Sequence, residues 1–544
     1  MRGILGGRVY DPANGIDGEV RDIWMRDGRI VPADEIDPEG AETFDATGLV
    51  VMPGGVDIHS HIVGAKVNVG RKLRPEDHRG SERKRKGGYW SGSGYTVPTT
   101  HLTGYLYAEM GYTTVMEAAT APLVARHTHE EFADLPVVDK GAFITMGNNH
   151  FLMRAIKEGR REEARDYVAW LLRATKGYAI KIVNPGGVEN WKWGGNVEEL
   201  DDEVIGFEVT PRQILETLGW INDELGLPHV PHIHGINLGR GRSGRTTVES
   251  IRALNGRRAH LCHLQFLSYK AGAGAMHLSD AVSVAEAVNT APNLTVDVGQ
   301  LVFGPATTMT SDGPLQHNLH NTMGGRWVND DVESETGGGI VPVSYEPTNP
   351  INSVMWLTGL ELFLLIDDPW RVYLTTDHPN AGVFVHYPQV IKLLMDSAYR
   401  AETFEGIHRR ARKGALLPEL KREYSLYDIA IVTRAGPARS LGLSRKGHLG
   451  PGADADVTVY EEKEDKEEMF ARPRYVFKDG GLVVRDGELV AAPQGRTLHV
   501  APSFDSAIEE RIREHFREAY TVSFENYSVS EEELGRNETV PCDA

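Results

Sequence analysis

Cysteine is the rarest residue type in this 544-residue sequence, which contains only Cys262 and Cys542. Two such distant cysteines provide neither a disulfide framework nor a Cys-x-x-Cys pair. Iron–sulfur clusters are held by several cysteine thiolates, so we expect none within this chain.

Long apolar runs and an excess of positive charge are also missing. The longest apolar stretch, residues 354–366, contains Glu361 and is too short to span a bilayer. The first residues lack an apolar run long enough for a secretory signal, so we expect a cytoplasmic protein that does not enter the membrane. A formal net charge of −19 argues against a general nucleic-acid binder. The hydrophobic content of 40% is ordinary for a globular protein.

The two ends of the chain share a sequence pattern typical of short strands and tight turns. Residues 1–52 and 440–500 both contain it, and we predict that they combine into one small β domain. Residues 53–439 form the central part, and residues 501–544 are predicted as a helix over 504–520 followed by a polar tail. Residues 300–352 have little periodicity, and we expect this long loop to be a lid, a binding loop or a subunit contact.

The central part alternates between short apolar runs and helical patterns. The clearest helical pattern covers residues 211–225, with Thr210 as N-cap, Pro211 at the first position and Gly226 at the end. The alternation predicts an α/β fold, a (β/α)8 TIM-like barrel of parallel strands. The eight strand candidates are residues 49–56, 113–118, 141–146, 179–183, 229–233, 260–264, 294–298 and 372–374.

Histidines and other ligand-type residues stand at the ends of these predicted strands. His59 and His61 follow the first strand, and residues two apart on a strand point to the same face. About one His-x-His pair is expected by chance in a chain of this kind, so the pattern alone is weak. Position strengthens it, because catalytic residues of such barrels collect at the carboxyl ends of the strands.

Four later predicted strands carry similar groups. They are the strand that contains Lys181, the strand that ends at His232 and His234, the strand that ends at His260 and His263, and the strand that ends at Asp377. Imidazoles and carboxylates that converge on one face suit zinc. A lysine inside an apolar strand needs compensation. Lys181 either reaches the barrel mouth and pairs with a carboxylate, or reacts with CO₂ and becomes an anionic bridge between two metals. His232 is an outer hydrogen-bond donor or an ordinary strand histidine, and Cys262 is interpreted as packing rather than as a ligand.

This ordered set resembles the amidohydrolase superfamily. The resemblance implies two zinc ions bridged by carboxylated Lys181, and it implies that Asp377 acts as the catalytic aspartate. It also implies a small β domain built from both chain ends. The metal ligands that it implies are His59, His61, Lys181, His234, His263 and Asp377.

Within that superfamily the chain resembles the A subunits of formylmethanofuran dehydrogenase and of the bacterial formyltransferase/hydrolase complex. The resemblance rests on residues 59–71, 171–178, 181–185, 374–377 and 524–527, and it covers nearly the whole chain. It implies interconversion of N-formylmethanofuran with formate and methanofuran, in a complex with other subunits that are either redox proteins or a formyltransferase. The chain departs from the pattern at residues 235–237 and at His378.

Other polar residues are candidates for substrate contact. Asn237 and Gln300 follow predicted strands and offer amide groups. Arg79 and Arg83, with Lys84, Arg85 and Lys86, form a basic cluster in an otherwise acidic chain. This cluster is either a solvated loop or a cradle for the carboxylate-rich tail of methanofuran, since a basic patch attracts anions.

Two alternatives remain open from the sequence. One is a cyclic amidohydrolase related to dihydropyrimidinase or hydantoinase, against which the long 300–352 segment argues. The other is a scaffold subunit with a vestigial barrel, against which the complete ligand set argues.

Overall fold

The computed structural model describes residues 1–36, 39–84, 88–272, 277–329 and 339–543. Among those residues, each helix is too short or too polar to cross a membrane. The described chain forms a nearly closed barrel and a second sheet to which both ends contribute. The predicted fold class is therefore confirmed, whereas the exact domain boundaries stay a prediction.

Eight parallel strands build the barrel in the described part of the chain. Each hydrogen-bonds to the next, and a bridge between Ser60 and His378 brings the last strand back to the first. Their side chains are almost all buried, as expected for a parallel sheet covered on its outer face. The strands are β1 (Gly55–Ser60), β2 (Tyr112–Thr120), β3 (Asp139–Thr145), β4 (Ala179–Val183), β5 (His232–His234), β6 (Ala259–Leu261), β7 (Leu294–Asp297) and β8 (Val372–Tyr373).

Helices surround the barrel. Pro211–Glu224 confirms the clearest helical prediction, because Thr210 forms a capping box with Gln213 and the apolar face with Ile214 and Leu218 is buried. The main helices of this layer are Thr100–Glu109, Ala125–Ala133, His150–Lys157, Arg161–Thr175, Pro211–Glu224, Ser243–Ala253, Ala281–Thr290, Pro350–Leu365 and Tyr387–Met395.

The first apolar run corrects the prediction of a single strand over residues 49–56. Its first half, Val50–Pro53, belongs to the other sheet, where it runs antiparallel to Val457–Tyr460. Its second half begins β1 of the barrel. The chain passes between the two sheets at Gly54, whose N–H donates to the Asp456 carbonyl (2.8 Å). An apolar run buried in both sheets cannot show this division, because it lacks a change of pattern.

The second sheet has nine strands in the described residues, and Val50–Pro53 lies near its centre. Its core contains Ile4, Val9, Phe44, Val457 and Phe477. Along the sheet the strands are Glu488–Leu489, Gly481–Arg485, Tyr475–Lys478, Val457–Tyr460, Val50–Pro53, Arg2–Asp11, Ile16–Arg26 and Arg29–Val31, with Glu42–Asp45 paired to Arg2–Asp11.

The chain after this sheet returns to the barrel. Thr497–His499 pairs with β3 at Lys140 and with Asn537–Thr539, so the tail adds two strands to the barrel sheet. The predicted tail helix is present as Ile508–Ala519.

Buried ions lie between the barrel and the nine-stranded sheet. Lys446 Nζ is 2.6 Å from the Asp139 carboxylate of β3, and Arg496 contacts Asp139 at 3.0 Å and Asp454 at 2.5 Å. Lys478 contacts Asp139 at 3.1 Å and Asp456 at 3.2 Å. Because cations already fill the space between these carboxylates, the cluster is a salt-bridge network that joins the two sheets.

The described part of the 300–352 segment, which leaves out residues 330–338, is more ordered than predicted. Gly304–Thr310 and Gly339–Tyr345 pair antiparallel, with Val328–Asn329 on the outer side of Gly339–Tyr345, and the helix Gly313–Met323 lies between them in sequence. Met309 and Ile340 are fully buried and pack together. The sequence did not indicate their two strands, because each strand is only seven residues long. This small sheet and helix lie beside the mouth of the barrel.

Candidate metal centre

The barrel brings all six predicted metal ligands to one cavity at the carboxyl ends of its strands. The cavity volume is about 160 Å³, and each of the six side chains is at most 5% exposed. His59 lies near the end of β1 and His61 follows that strand, Lys181 lies on β4, and His234 ends β5. The others follow β6 and β8. The six predicted ligands that line the cavity are His59, His61, Lys181, His234, His263 and Asp377.

The distances within this group suit a metal ion. Asp377 Oδ1 is 3.1 Å from His59 Nε2 and 3.3 Å from His61 Nε2. One ligand atom each from His59, His263 and Asp377 lie within 4.8 Å of one another. The Nδ1 atom of His263 is buried without a hydrogen-bond partner in the described structure. Imidazoles and a carboxylate at this spacing fit zinc or a similar divalent ion.

Lys181 has an unusual neighbour. Its Nζ donates to Cys262 Sγ at 3.1 Å, and the same sulfur lies 3.3 Å from His263 Nε2. Among the described residues no carboxylate forms an ion pair with Lys181, so the interpretation of a simple carboxylate pair is not supported. Cys262, interpreted from the sequence as packing, forms part of the wall behind the ligands.

Two buried carboxylates that the sequence analysis missed hold the histidines from behind. Glu117 on β2 lies 3.0 Å from His61 Nδ1 and also accepts from Ile62 N at 2.8 Å. Asp297 at the end of β7 lies 3.1 Å from His59 Nδ1 and accepts from His263 N at 2.6 Å. The available signal was an acidic residue inside or ending an apolar strand, the same signal that singled out Lys181.

His232 is an outer hydrogen-bond partner of the site. Its Nε2 lies 2.8 Å from His59 Nδ1, and its Nδ1 lies 3.1 Å from His229 Nε2. The parallel register places His232 beside Lys181 on one side and beside His260 on the other. His232 therefore packs inside the barrel below the cavity, in contact with a predicted ligand.

The electrostatics differ from one predicted ligand to the next. Burial raises the pKa of Asp377, but the nearby positive charge of His59 and hydrogen bonds from His59 and His61 hold that pKa well below its usual value. Burial lowers the pKa of His263 and of His232 well below that of free histidine. Burial also lowers the pKa of His59, but Asp297 and Asp377 raise it well above that of free histidine. Without a metal ion the group therefore combines an ionised Asp377 and a neutral His263 with a protonated His59.

Backbone conformation also shapes the site. His263 and Asp377, a few residues beyond the ends of β6 and β8, both have positive φ angles, 38° and 48°. Gly299, with φ of 62°, approaches so closely that a β-carbon there would lie 2.5 Å from His263 Cβ. A glycine is therefore required at this position.

The predicted substrate-contact residues lie outside the cavity wall. The Asn237 amide donates to the Glu198 carbonyl (2.7 Å), and the Gln300 amide donates to the Leu301 carbonyl (2.9 Å) and the Trp356 carbonyl (3.1 Å). The NH₂ groups of both side chains thus donate to backbone carbonyls. Arg79 is exposed, and Arg83 pairs with Glu109 at 3.7 Å. The structure therefore does not support direct contact by these four, and Arg85 and Lys86 lie outside the described residues.

The cavity wall is mainly apolar and uncharged beyond the ligand group. Among its lining residues no arginine occurs, and Lys181 is the sole lysine. Amide side chains supply most of the remaining polarity. The apolar lining includes Leu238, Phe266, Leu315, Leu319 and Met355, and the amides are Gln316, Asn318, Asn349, Asn352 and Asn380.

A parallel barrel with histidines, a lysine and an aspartate at the carboxyl ends of its strands defines a class of barrel enzymes with a metal-type site at that face. Comparison of the sequence with family models identifies the family within this class. A model of the amidohydrolase family matches residues 42–491, and the chain belongs to the amidohydrolase family.

Relatives match the chain over its full length. Protein FwdA of Methanocaldococcus jannaschii is 46% identical, and the alignment covers 99% of both chains. The A subunit of the formyltransferase/hydrolase complex Fhc of Methylorubrum extorquens is 39% identical, again over 99% of both. A chain in the crystal structure of that complex, FhcABCD with methylofuran, superposes with a TM-score of 0.94 at 38% identity and covers 100% of both chains.

Proposed function

We propose that this chain is the amidohydrolase subunit that interconverts N-formylmethanofuran with formate and methanofuran, within a multi-subunit complex. The observation that carries the proposal is the full-length likeness to a chain of a formyltransferase/hydrolase complex solved with methylofuran, at a TM-score of 0.94. The gathered ligand set supports a catalytic subunit over a scaffold. A cytoplasmic location stays a prediction.

We propose that His59, His61, Lys181, His234, His263 and Asp377 would hold two zinc ions, with carboxylated Lys181 as the ligand common to both. The partnerless His263 Nδ1 and the short distances to Asp377 support this assignment. When bound, the metal ions supply Lewis acidity and lower the pKa of water to near neutrality.

Asp377 is the proposed general base and acid. As an ionised carboxylate it takes a proton from the water whose oxygen bonds to the formyl carbon, and it passes that proton to the amine nitrogen as the carbon–nitrogen bond breaks. Formate and the free amine leave. Asn380 Nδ2 donates to Asp377 Oδ1 at 2.9 Å and orients the carboxylate for both transfers. In the reverse direction the same groups condense formate with the amine.

The uncharged wall supports a neutral formamide as the part of the substrate inside the cavity. A carboxylate beside the reacting amide would find no arginine in the described lining. A carboxylate buried without a charged partner is costly, so the acidic tail of methanofuran remains outside the cavity.

The test is formate release by the purified native complex from N-formylmethanofuran, compared with ring opening of hydantoin and dihydrouracil. We expect turnover of the formamide and no measurable turnover of the cyclic amides. Ring opening without formate release would contradict the proposal and favour the cyclic amidohydrolase alternative.

A further inference from the structure

Asp312 connects a predicted metal ligand to a helix that forms the cavity wall. It is 2% exposed, and its Oδ2 lies 3.0 Å from His234 Nε2. Its Oδ1 accepts from Leu315 N at 3.1 Å and so caps the helix Gly313–Met323, here called the wall helix. Neither the proposed metal set nor the proposed proton transfers use this residue.

The contact with His234 decides which ring nitrogen is free. A carboxylate oxygen is a hydrogen-bond acceptor, so the ring nitrogen in contact with it, His234 Nε2, is the donor and carries the proton. The other nitrogen, Nδ1, makes no hydrogen bond to any described residue and keeps its lone pair. Outer hydrogen-bond partners commonly fix a histidine ligand in this way, and their removal weakens metal binding about 10–100-fold.

The second oxygen of Asp312 organises the wall helix. Besides the Leu315 amide, Oδ1 accepts from Asn184 Nδ2 at 3.3 Å, just after β4. The wall helix supplies four of the residues that line the cavity. These four are Leu315, Gln316, Asn318 and Leu319. One carboxylate thus holds the ligand His234 with one oxygen and the start of the wall helix with the other.

We propose that Asp312 is a positioning residue that fixes His234 in the tautomer that ligates through Nδ1 and couples metal binding to the order of the wall helix. The inference rests on the proposed function, because it presupposes a metal at His234. Coupling of this kind is reciprocal: a metal that holds His234 holds Asp312, and an ordered helix start strengthens metal binding.

Asp312→Asn separates the two roles. Asparagine is a good N-cap, and two donors, Leu315 N and Asn184 Nδ2, hold its oxygen on the helix side. Its NH₂ group then faces His234 Nε2, which becomes an acceptor and moves the ring proton to Nδ1. We expect zinc affinity at this site to fall about 10–100-fold. Asp312→Ala removes both roles.

The measurements are zinc content by mass spectrometry and amide hydrogen exchange of residues 315–321, each with and without zinc. In the wild type we expect two zinc ions and slower exchange on zinc addition. In Asp312→Asn we expect metal-free exchange like that of the wild type, loss of one zinc, and no slowing on zinc addition. Asp312→Ala should lose one zinc and exchange faster even without metal.

Asn349→Ala is the matched control, because Asn349 caps Pro350–Leu365 beside the same cavity and contacts no predicted ligand. It should keep both zinc ions. If Asp312→Asn keeps both zinc ions with wild-type affinity, or if zinc leaves wild-type exchange unchanged, the inference is wrong while the proposed function stands. If the wild type binds no zinc, the proposed function fails and the inference with it.

Discussion

Single carboxylates behind the histidines should control how tightly the site holds metal. Glu117→Gln removes the negative charge that orients His61 while keeping the shape of the side chain. We expect zinc affinity, measured by competition with a chelator, to fall about 10–100-fold. Glu361→Gln serves as the control, because Glu361 is equally buried but bonds to Ser279 and to the Leu416 and Leu417 amides. Equal affinities in the two variants would show that Glu117 does not position His61.

Gly299 tests the backbone geometry of the same site. Gly299→Ala places a β-carbon 2.5 Å from His263 Cβ at a φ of 62°, so His263 must move. We expect loss of zinc and a fall of about 1–3 kcal/mol in the free energy of unfolding. Gly256→Ala has a similar φ of 77° and nothing within 4 Å of the added carbon. It should lose stability but keep its zinc, and a Gly299→Ala protein with full zinc content would contradict the assignment of His263.

Five of the six gathered side chains were candidates because they stand at the ends of apolar runs, and Lys181 was a candidate because it is a lysine inside one. The resemblance to the amidohydrolase superfamily then selected the six as a set. The sequence did not predict Asp312, which lies in a segment without periodicity and meets His234 only through a contact 78 positions away. The predicted substrate contacts by Asn237 and Gln300 stay predictions, and in this structure both amide groups donate to backbone carbonyls. Whether an amide faces a cavity or a backbone carbonyl depends on the packing of neighbouring loops.

At the scale of elements, the ionic network between β3 and the nine-stranded sheet should dominate the joining of the two. Lys446→Met leaves the buried Asp139 carboxylate short of one of its cations. Removing one partner of a buried ion pair costs about 3–5 kcal/mol, and we expect a loss of that size in chemical denaturation. Arg212→Met removes an exposed partner of Asp201 and should cost less than about 1 kcal/mol. Similar losses in the two variants would contradict the role of the network.

The same network predicts acid sensitivity. Burial raises the pKa of Asp139, but Lys446, Lys478 and Arg496 hold it well below the usual value, and the pKa of Asp454 is lowered similarly. A carboxylate whose pKa is lowered in the folded state stabilises the protein at pH values above its unfolded pKa of about 4. This stabilisation is lost as the pH falls below that value. Unfolding titrations should therefore show stability decreasing below about pH 4. Stability that does not fall there would contradict these shifts.

Elements were predictable where local signals agree. The helix Pro211–Glu224 has a cap, a proline and an apolar stripe, and each signal points to the same boundaries. The run over residues 49–56 was misassigned because both halves are buried and apolar. Only the partners of each half, Val457–Tyr460 on one side and β2 on the other, divide it between two sheets.

At the scale of the molecule, the arrangement follows from that division. The chain leaves the nine-stranded sheet at Gly54, completes the barrel and returns through Val457–Tyr460, so the N-terminal strands and the strands of residues 457–489 share one sheet. The tail then rejoins the barrel sheet. The paired ends could be predicted from their shared strand texture. The order of strands could not, since pairing joins residues hundreds of positions apart.

The central claim is that metal ions held at the barrel mouth, with Asp377 as acid and base, release formate from N-formylmethanofuran. The most direct measurement is formate release by the chelated native complex as zinc is added back. The account predicts no release without metal, recovery up to two zinc ions per chain, and an Asp377→Asn complex with a rate about 10²–10⁴-fold lower even when reloaded. Formate release at the full rate by the metal-free complex, or by Asp377→Asn, would contradict it.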